Sequence, residues 1–132
     1  MTVIKWRESY ETGVEEMDNE HKTLIDIINQ LYQMQREKKS YEELKGIYNR
    51  LLQYTENHFQ HEEKLLEESG YAQYKEQCQS HVDFIEKLKD LKEDLLSAKE
   101  SSAPVVYKFL REWWLNHIVG MDKEYGPHLL NR

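Results

Sequence analysis

The sequence predicts an all-α protein, an up-down-up-down four-helix bundle with an irregular N-terminal arm, and three observations carry that prediction. Apolar residues recur at three- and four-residue spacing almost throughout, which is the period of a helix. Only 5 Gly and 2 Pro interrupt the 132 residues. The breaks between periodic stretches are short, and helices joined by short loops must run antiparallel to their sequence neighbours. Residues 1–132 read as one domain, a length that buries roughly two thirds of the unfolded surface.

The arm spans Met1 to Met17, and a first helix over 18–38 opens at Asp18 as N-cap. Its inward face carries His21, Leu24, Ile25, Ile28 and Tyr32. A second helix, 41–68, opens on the "SYEE" of Ser40 to Glu43, in which a Ser side chain and a Glu side chain satisfy each other's free backbone N–H groups. Gly70 follows it in the position where a left-handed residue stops a helix. A third helix covers 72–100, and a fourth covers 103–121, with Ser102 as cap and Pro104 in its first turn, where a missing N–H costs nothing.

A net charge of -7 excludes the basic stripe of a nucleic-acid surface and docking on an anionic membrane. No apolar run approaches the roughly 18 residues of a membrane span. "MTVIKWRESY" lacks the apolar core of a signal peptide, so the expected address is cytoplasmic. Cys78 is the single cysteine; it makes no internal disulfide or zinc motif and is expected as an inert buried thiol.

The polar residues that fall on apolar faces set the chemistry. At about 100° per residue, Glu62 lies on the face of His58, together with Leu44, Leu51 and Leu65. His61 falls at the edge of that face, and Glu63 and Lys64 point to solvent. On the third helix Gln77 and His81 share the face of Tyr74, Ile85 and Leu88. On the fourth, His117 shares that of Val106, Leu110, Trp113 and Met121. Asp122, five residues on, joins His117 only where the helix bulges near Gly120. Each helix thus turns one histidine inward: His21, His58, His81 and His117. Packing has no use for so many buried polar groups. Imidazole with carboxylate suits a transition metal, iron ahead of manganese or zinc, and six donors exceed what one ion usually takes. A pair of metals is the expectation.

In "GVEEMDNEHKTL", "HFQHEE", "SHVDF" and "WWLNHIVGMD" the chain closely resembles the hemerythrins, in their single-domain bacterial form. The resemblance covers nearly the whole length. It implies two non-haem irons joined by an oxo or hydroxo bridge, with Glu62 and Asp122 bridging and His21 and His58 on one iron. His81 and His117 match ligands of the other. It also implies an apolar wall of Leu24, Phe59 and Ile118 around the dioxygen position, with Trp113 and Trp114 packed near it. One element departs: the family's third helix carries H-x-x-x-H, and this chain reads "QCQSH". Gln77 stands where the first histidine belongs, and an amide oxygen is a weaker donor than imidazole. The function the resemblance implies is dioxygen binding, as carrier, store or sensor. An opened second iron makes reduction of hydrogen peroxide, or reaction with nitric oxide, the alternative, and a bundle that has lost metal is the third reading.

Overall fold

The computed structural model describes residues 4–96 and 103–131. The described residues form α1 (Glu15–Arg36), α2 (Tyr41–Glu68), α3 (Tyr74–Asp90), the short α4 (Lys92–Leu96), α5 (Ala103–His117) and α6 (Lys123–Leu130), with a π-helical stretch, Ile118–Asp122, joining the last two. These make four rods: α1, α2, α3 with α4, and α5 running through the π stretch into α6. Each packs against its neighbours as an up-down-up-down bundle.

Three helix ends show why the rods stop where they do. Ser40 Oγ accepts from the Glu43 N–H at 3.2 Å, and Glu43 Oε2 accepts from the Ser40 N–H at 3.4 Å, the reciprocal cap that "SYEE" predicts. At the end of α2, Gly70 takes φ +70. The Tyr71 N–H then reaches Leu66 O at 3.0 Å and the Gly70 N–H reaches Glu67 O at 3.1 Å, the bond pair of a left-handed helix stop. The same pair ends α1 through Lys38, Lys39 N–H to Met34 O and Lys38 N–H to Gln35 O, both 3.1 Å. Here a non-glycine residue, Lys38, holds φ 55.

Several boundaries differ from expectation. α1 begins at Glu15 with Val14 as its cap, one turn before Asp18. The Asp18 carboxylate is occupied elsewhere: Oδ1 accepts from the N–H and Oγ1 of Thr12, both at 2.8 Å, and Oδ2 from the Gly13 N–H at 3.2 Å. It ties the arm to the helix from inside the first turn. The third rod breaks at Leu91, between α3 and α4. The expected end near Glu100 and the Ser102 cap lie outside the described residues. The fourth rod does not stop at Met121 but continues to Leu130.

The core divides in two. The larger part holds Leu24, Ile28, Tyr48, Phe59, Phe84, Tyr107, Trp114 and Ile118, and a smaller one holds Met17, Leu66, Tyr125 and Leu129. Met17 and Leu66 each lie one turn from a buried polar residue, His21 and Glu62 respectively. The polar residues therefore sit between two apolar clusters. No helix among the described residues is long and apolar enough to cross a membrane.

Candidate metal centre

His21, His58, Glu62, Gln77, His81, His117 and Asp122 are all buried, none more than 3% exposed. They form two groups of convergent ligating atoms. One is His21, His58, Glu62 and Asp122; the other is Glu62, His81 and His117. Glu62 belongs to both. Its Oε2 lies 3.3 Å from His58 Nε2 and 3.6 Å from His21 Nε2, and its Oε1 lies 2.9 Å from His81 Nε2. Asp122 spans the same gap from the other side, with Oδ2 3.0 Å from His21 Nε2 and Oδ1 3.0 Å from His117 Nε2.

The π stretch makes this placement of Asp122. Its Lys123 N–H bonds to Ile118 O, a five-residue step that inserts one extra residue into the turn. Without that insertion Met121 would face inward, one regular turn after His117. With it Asp122 is fully buried and Met121 half-exposed.

Four of these buried atoms, His21 Nε2, His58 Nε2, Glu62 Oε1 and Asp122 Oδ2, have no hydrogen-bond partner. His21 Nε2 and Asp122 Oδ2 lie 3.0 Å apart but off the hydrogen-bond direction, while His58 Nε2 lies 3.3 Å from Glu62 Oε2 and Glu62 Oε1 lies 2.9 Å from His81 Nε2. Orphaned polar atoms buried in an apolar core cost on the order of 1–3 kcal/mol each, and lone pairs that converge on one point are what a cation satisfies. His81 Nε2 and His117 Nε2, 3.3 Å apart, face each other in the same way. The donor set fits a pair of metal ions.

Electrostatics agree. Burial raises the Glu62 pKa, but His58, His117 and His21 outweigh it and hold the carboxyl well below the ordinary range. Burial and Glu62 push Asp122 up, and His117 with His21 bring it below its ordinary value. Burial pulls His58 and His117 down, yet the two carboxylates, aided by Glu20 at His58, raise them to about 9 and about 10. The centre is a concentrated pair of negative charges that calls for cations.

The outer nitrogens of His58, His81 and His117 are held as ligating histidines require, while His21 Nδ1 is buried without a partner. His58 Nδ1 and His61 Nδ1 each lie 2.6 Å from one oxygen of Glu20. His81 Nδ1 lies 2.7 Å from Glu63 Oε2, and His117 Nδ1 lies 3.1 Å from Ser80 Oγ. With Nδ1–H donated outward, Nε2 is the nitrogen left to face the centre, and a metal bound there would take the place of the proton that the two carboxylates otherwise hold on His58 and His117. The Tyr125 hydroxyl donates to Glu62 Oε2 at 2.9 Å. Burial, with the charges of Glu62 and Asp122, raises its pKa well above the ordinary value, so it remains a donor.

Two of the expectations change. Glu63 does not simply point away to solvent: it is partly exposed, and its carboxylate turns toward α3 and holds His81. Cys78 is partly exposed rather than buried, and burial pushes its thiol pKa up, against reactivity. His61 stands at the edge as expected, its side chain 37% exposed. Glu20, Glu63 and Ser80 leave no signal, because a Glu or Ser on a helix surface carries none until the adjacent helix is placed, and Tyr125 lies beyond the expected end of the fourth helix at 121.

Gln77 reaches the centre but turns its amide to a carboxylate. Nε2 donates to Asp122 Oδ1 at 3.3 Å, while Oε1 is buried without a partner. A carboxylate only accepts, so the amide nitrogen is the group that belongs beside it.

Aromatic rings enclose the centre. Phe59 stacks on His81 with centroids 3.7 Å apart, and Trp113 stacks on His117 at 4.5 Å. Trp114, fully buried, lies 6.1 Å from His58 and 6.4 Å from both His21 and His117. Trp114 rather than the half-buried Trp113 touches both groups of ligands. Leu24, Phe59 and Ile118 are buried in the same apolar cluster.

A helical bundle that gathers imidazoles and two carboxylates at its centre defines a dinuclear metal-binding bundle. A family model described as "Hemerythrin HHE cation binding domain" matches residues 12–129. The chain belongs to the hemerythrin family. It is 28% identical over 130 residues to the bacteriohemerythrin of Methylococcus capsulatus, covering 98% of each chain. It is 30% identical over 128 residues to the myohemerythrin of Theromyzon tessulatum, covering 95% of this chain and 92% of that one. A crystal structure of wild-type hemerythrin is similar with a TM-score of 0.85 at 26% identity, covering 97% of this chain and 98% of that one. The hemerythrin family binds a di-iron centre, and the buried clusters described above are able to hold metal.

Proposed function

We propose that this chain is a non-haem di-iron protein that binds dioxygen. His21 and His58 hold one iron, His81 and His117 hold the other, and Glu62 and Asp122 bridge them. The observation that carries the reading is the pair of ligand groups sharing Glu62 at the middle of the bundle. Iron, when bound, supplies the electrons and the Lewis acidity for taking up dioxygen. The chain does the rest. Glu20, Glu63 and Ser80 keep the imidazole lone pairs aimed inward. Tyr125 steadies Glu62. Phe59, Trp114, Leu24 and Ile118 keep water from the dioxygen position, which slows proton entry. The test is iron content followed by optical spectra of the diferrous protein on mixing with oxygen. About two irons per chain and a new charge-transfer band are expected. One iron or fewer, or a spectrum blind to oxygen, refutes the reading.

Gln77 favours a second reading, reduction of hydrogen peroxide. Its amide nitrogen bonds Asp122 Oδ1 and its oxygen is buried without a partner; with the amide held in that bond rather than on a metal, each iron would have two histidines and a share of the bridging carboxylates. Both irons then keep an open position. Gln77→His adds an imidazole to the second iron. It should lengthen the life of the oxygen adduct and lower peroxide turnover with an added electron donor. Equal lifetimes and equal turnover in the two proteins return the centre to simple oxygen binding.

A further inference from the structure

A cleft opens at the surface between α2 and α3, on the outer side of the His81 ring. Its volume is about 240 Å³, and Phe59, Val82, Ile85 and the ring of His81 line it together with Gln60 and three carboxylates, Glu56, Glu63 and Glu86. The walls are mostly carbon. Val82 is 50% exposed, one of the few large apolar side chains in the described residues that is left uncovered. No lysine or arginine lines the cavity.

These features select a ligand by chemistry. An apolar recess favours an apolar body, at roughly 25 cal/mol for each Å² removed from water. Three carboxylates with no cation among them favour a positive charge, and they disfavour any anion. The surface clefts beside His58 and His117 lack this combination: the first has Glu20 as its one acidic residue and the second has none. We infer that the α2–α3 cavity binds a small organic cation, an ammonium group on an aryl or aliphatic body. The body lies against Val82, Ile85 and the edge of Phe59, and the ammonium lies among Glu56, Glu63 and Glu86. Occupancy also reaches the centre, because Glu63 serves both as cavity wall and as acceptor for His81 Nδ1.

The test is isothermal titration calorimetry of the iron-loaded protein with phenethylammonium, its neutral counterpart 2-phenylethanol and its anionic counterpart 3-phenylpropanoate. The cation should bind about tenfold more tightly than the alcohol at low salt, and the advantage should shrink as salt rises. The anion should give no heat. Glu56 and Glu86 stand outside the metal ligands, and Glu56→Gln with Glu86→Gln should bring the cation to within about threefold of the alcohol. Val82→Lys, which supplies its own ammonium at the mouth, should abolish cation binding. Equal affinity for cation and alcohol, no binding of the cation, or an undiminished preference in the double variant would each overturn the inference. Iron content and the oxygen spectrum, measured on the same samples, keep this test separate from that of the dioxygen reading.

Discussion

Glu63→Ala should weaken one metal position and spare the other. Glu63 Oε2 holds His81 Nδ1 at 2.7 Å, with the Glu63 side chain 29% exposed. A hydrogen bond to a charged group is worth about 1.5–3 kcal/mol when buried, and partial exposure places this one toward the lower end. Loss of an outer partner of a ligating histidine typically lowers metal affinity about 10- to 100-fold, or about 1.4–2.7 kcal/mol. The variant should therefore lose about tenfold in affinity for the iron on His81 and His117. The iron on His21 and His58 should be unaffected, since Glu20 holds His58 independently. Glu63→Gln, which keeps a neutral acceptor for the same nitrogen, should fall between. Anaerobic ferrous titration with stepwise stoichiometry separates the two positions, and circular dichroism confirms that the bundle is intact. Equal weakening at both positions, or none at either, would show that Glu63 does not orient His81.

Three further outcomes follow from other contacts. His61→Ala should retain both irons and the charge-transfer bands, because His61 shares Glu20 with His58 but stands at the half-exposed edge; loss of one iron would make it a ligand. Gly70→Ala should cost about 1 kcal/mol in urea unfolding, since its φ of +70 is strained for Ala and a Cβ there meets nothing within 4 Å. Gly126→Ala should cost more, about 1–3 kcal/mol, and should loosen the arm, because its Cβ would run into the backbone carbonyl of Thr12; a cost no greater than that at Gly70 would mean the arm moves aside freely.

What the sequence reveals of this centre, and what it hides, follows from the kind of signal each residue leaves. His21, His58, Glu62, His81 and His117 stand out because they break an apolar stripe, and a buried polar side chain is unfavourable enough to demand a partner. Their angular positions on regular helices suffice to bring them together. Asp122 leaves a weaker trace. On a regular helix Met121 holds the inward position, and only the five-residue step in the backbone at Ile118–Asp122 exchanges the two. The misfit between His117 and Asp122 was the visible sign of that step. Trp114 was harder to rank beside Trp113, since both are large and apolar and the choice between them depends on a rotation of a few tens of degrees about α5.

Glu20 and Glu63 leave no trace at all. Each is a glutamate on the outer side of a helix, the commonest surface residue pattern there is, and each becomes functional only because a neighbouring helix brings a histidine Nδ1 against it. The same holds for Asp18, whose sequence position suits an N-cap and whose carboxylate is instead taken by Thr12 and Gly13. Helical periodicity reports what one helix turns inward. It does not report which residue on the rim of that face meets the rim of the next, and in this bundle those rim contacts, Glu20 to His58 and Glu63 to His81, are what aim the buried imidazoles. Gln77 joins both classes: its burial was readable from the spacing, while the turn of its amide toward Asp122 depended on a carboxylate that only the π step delivers.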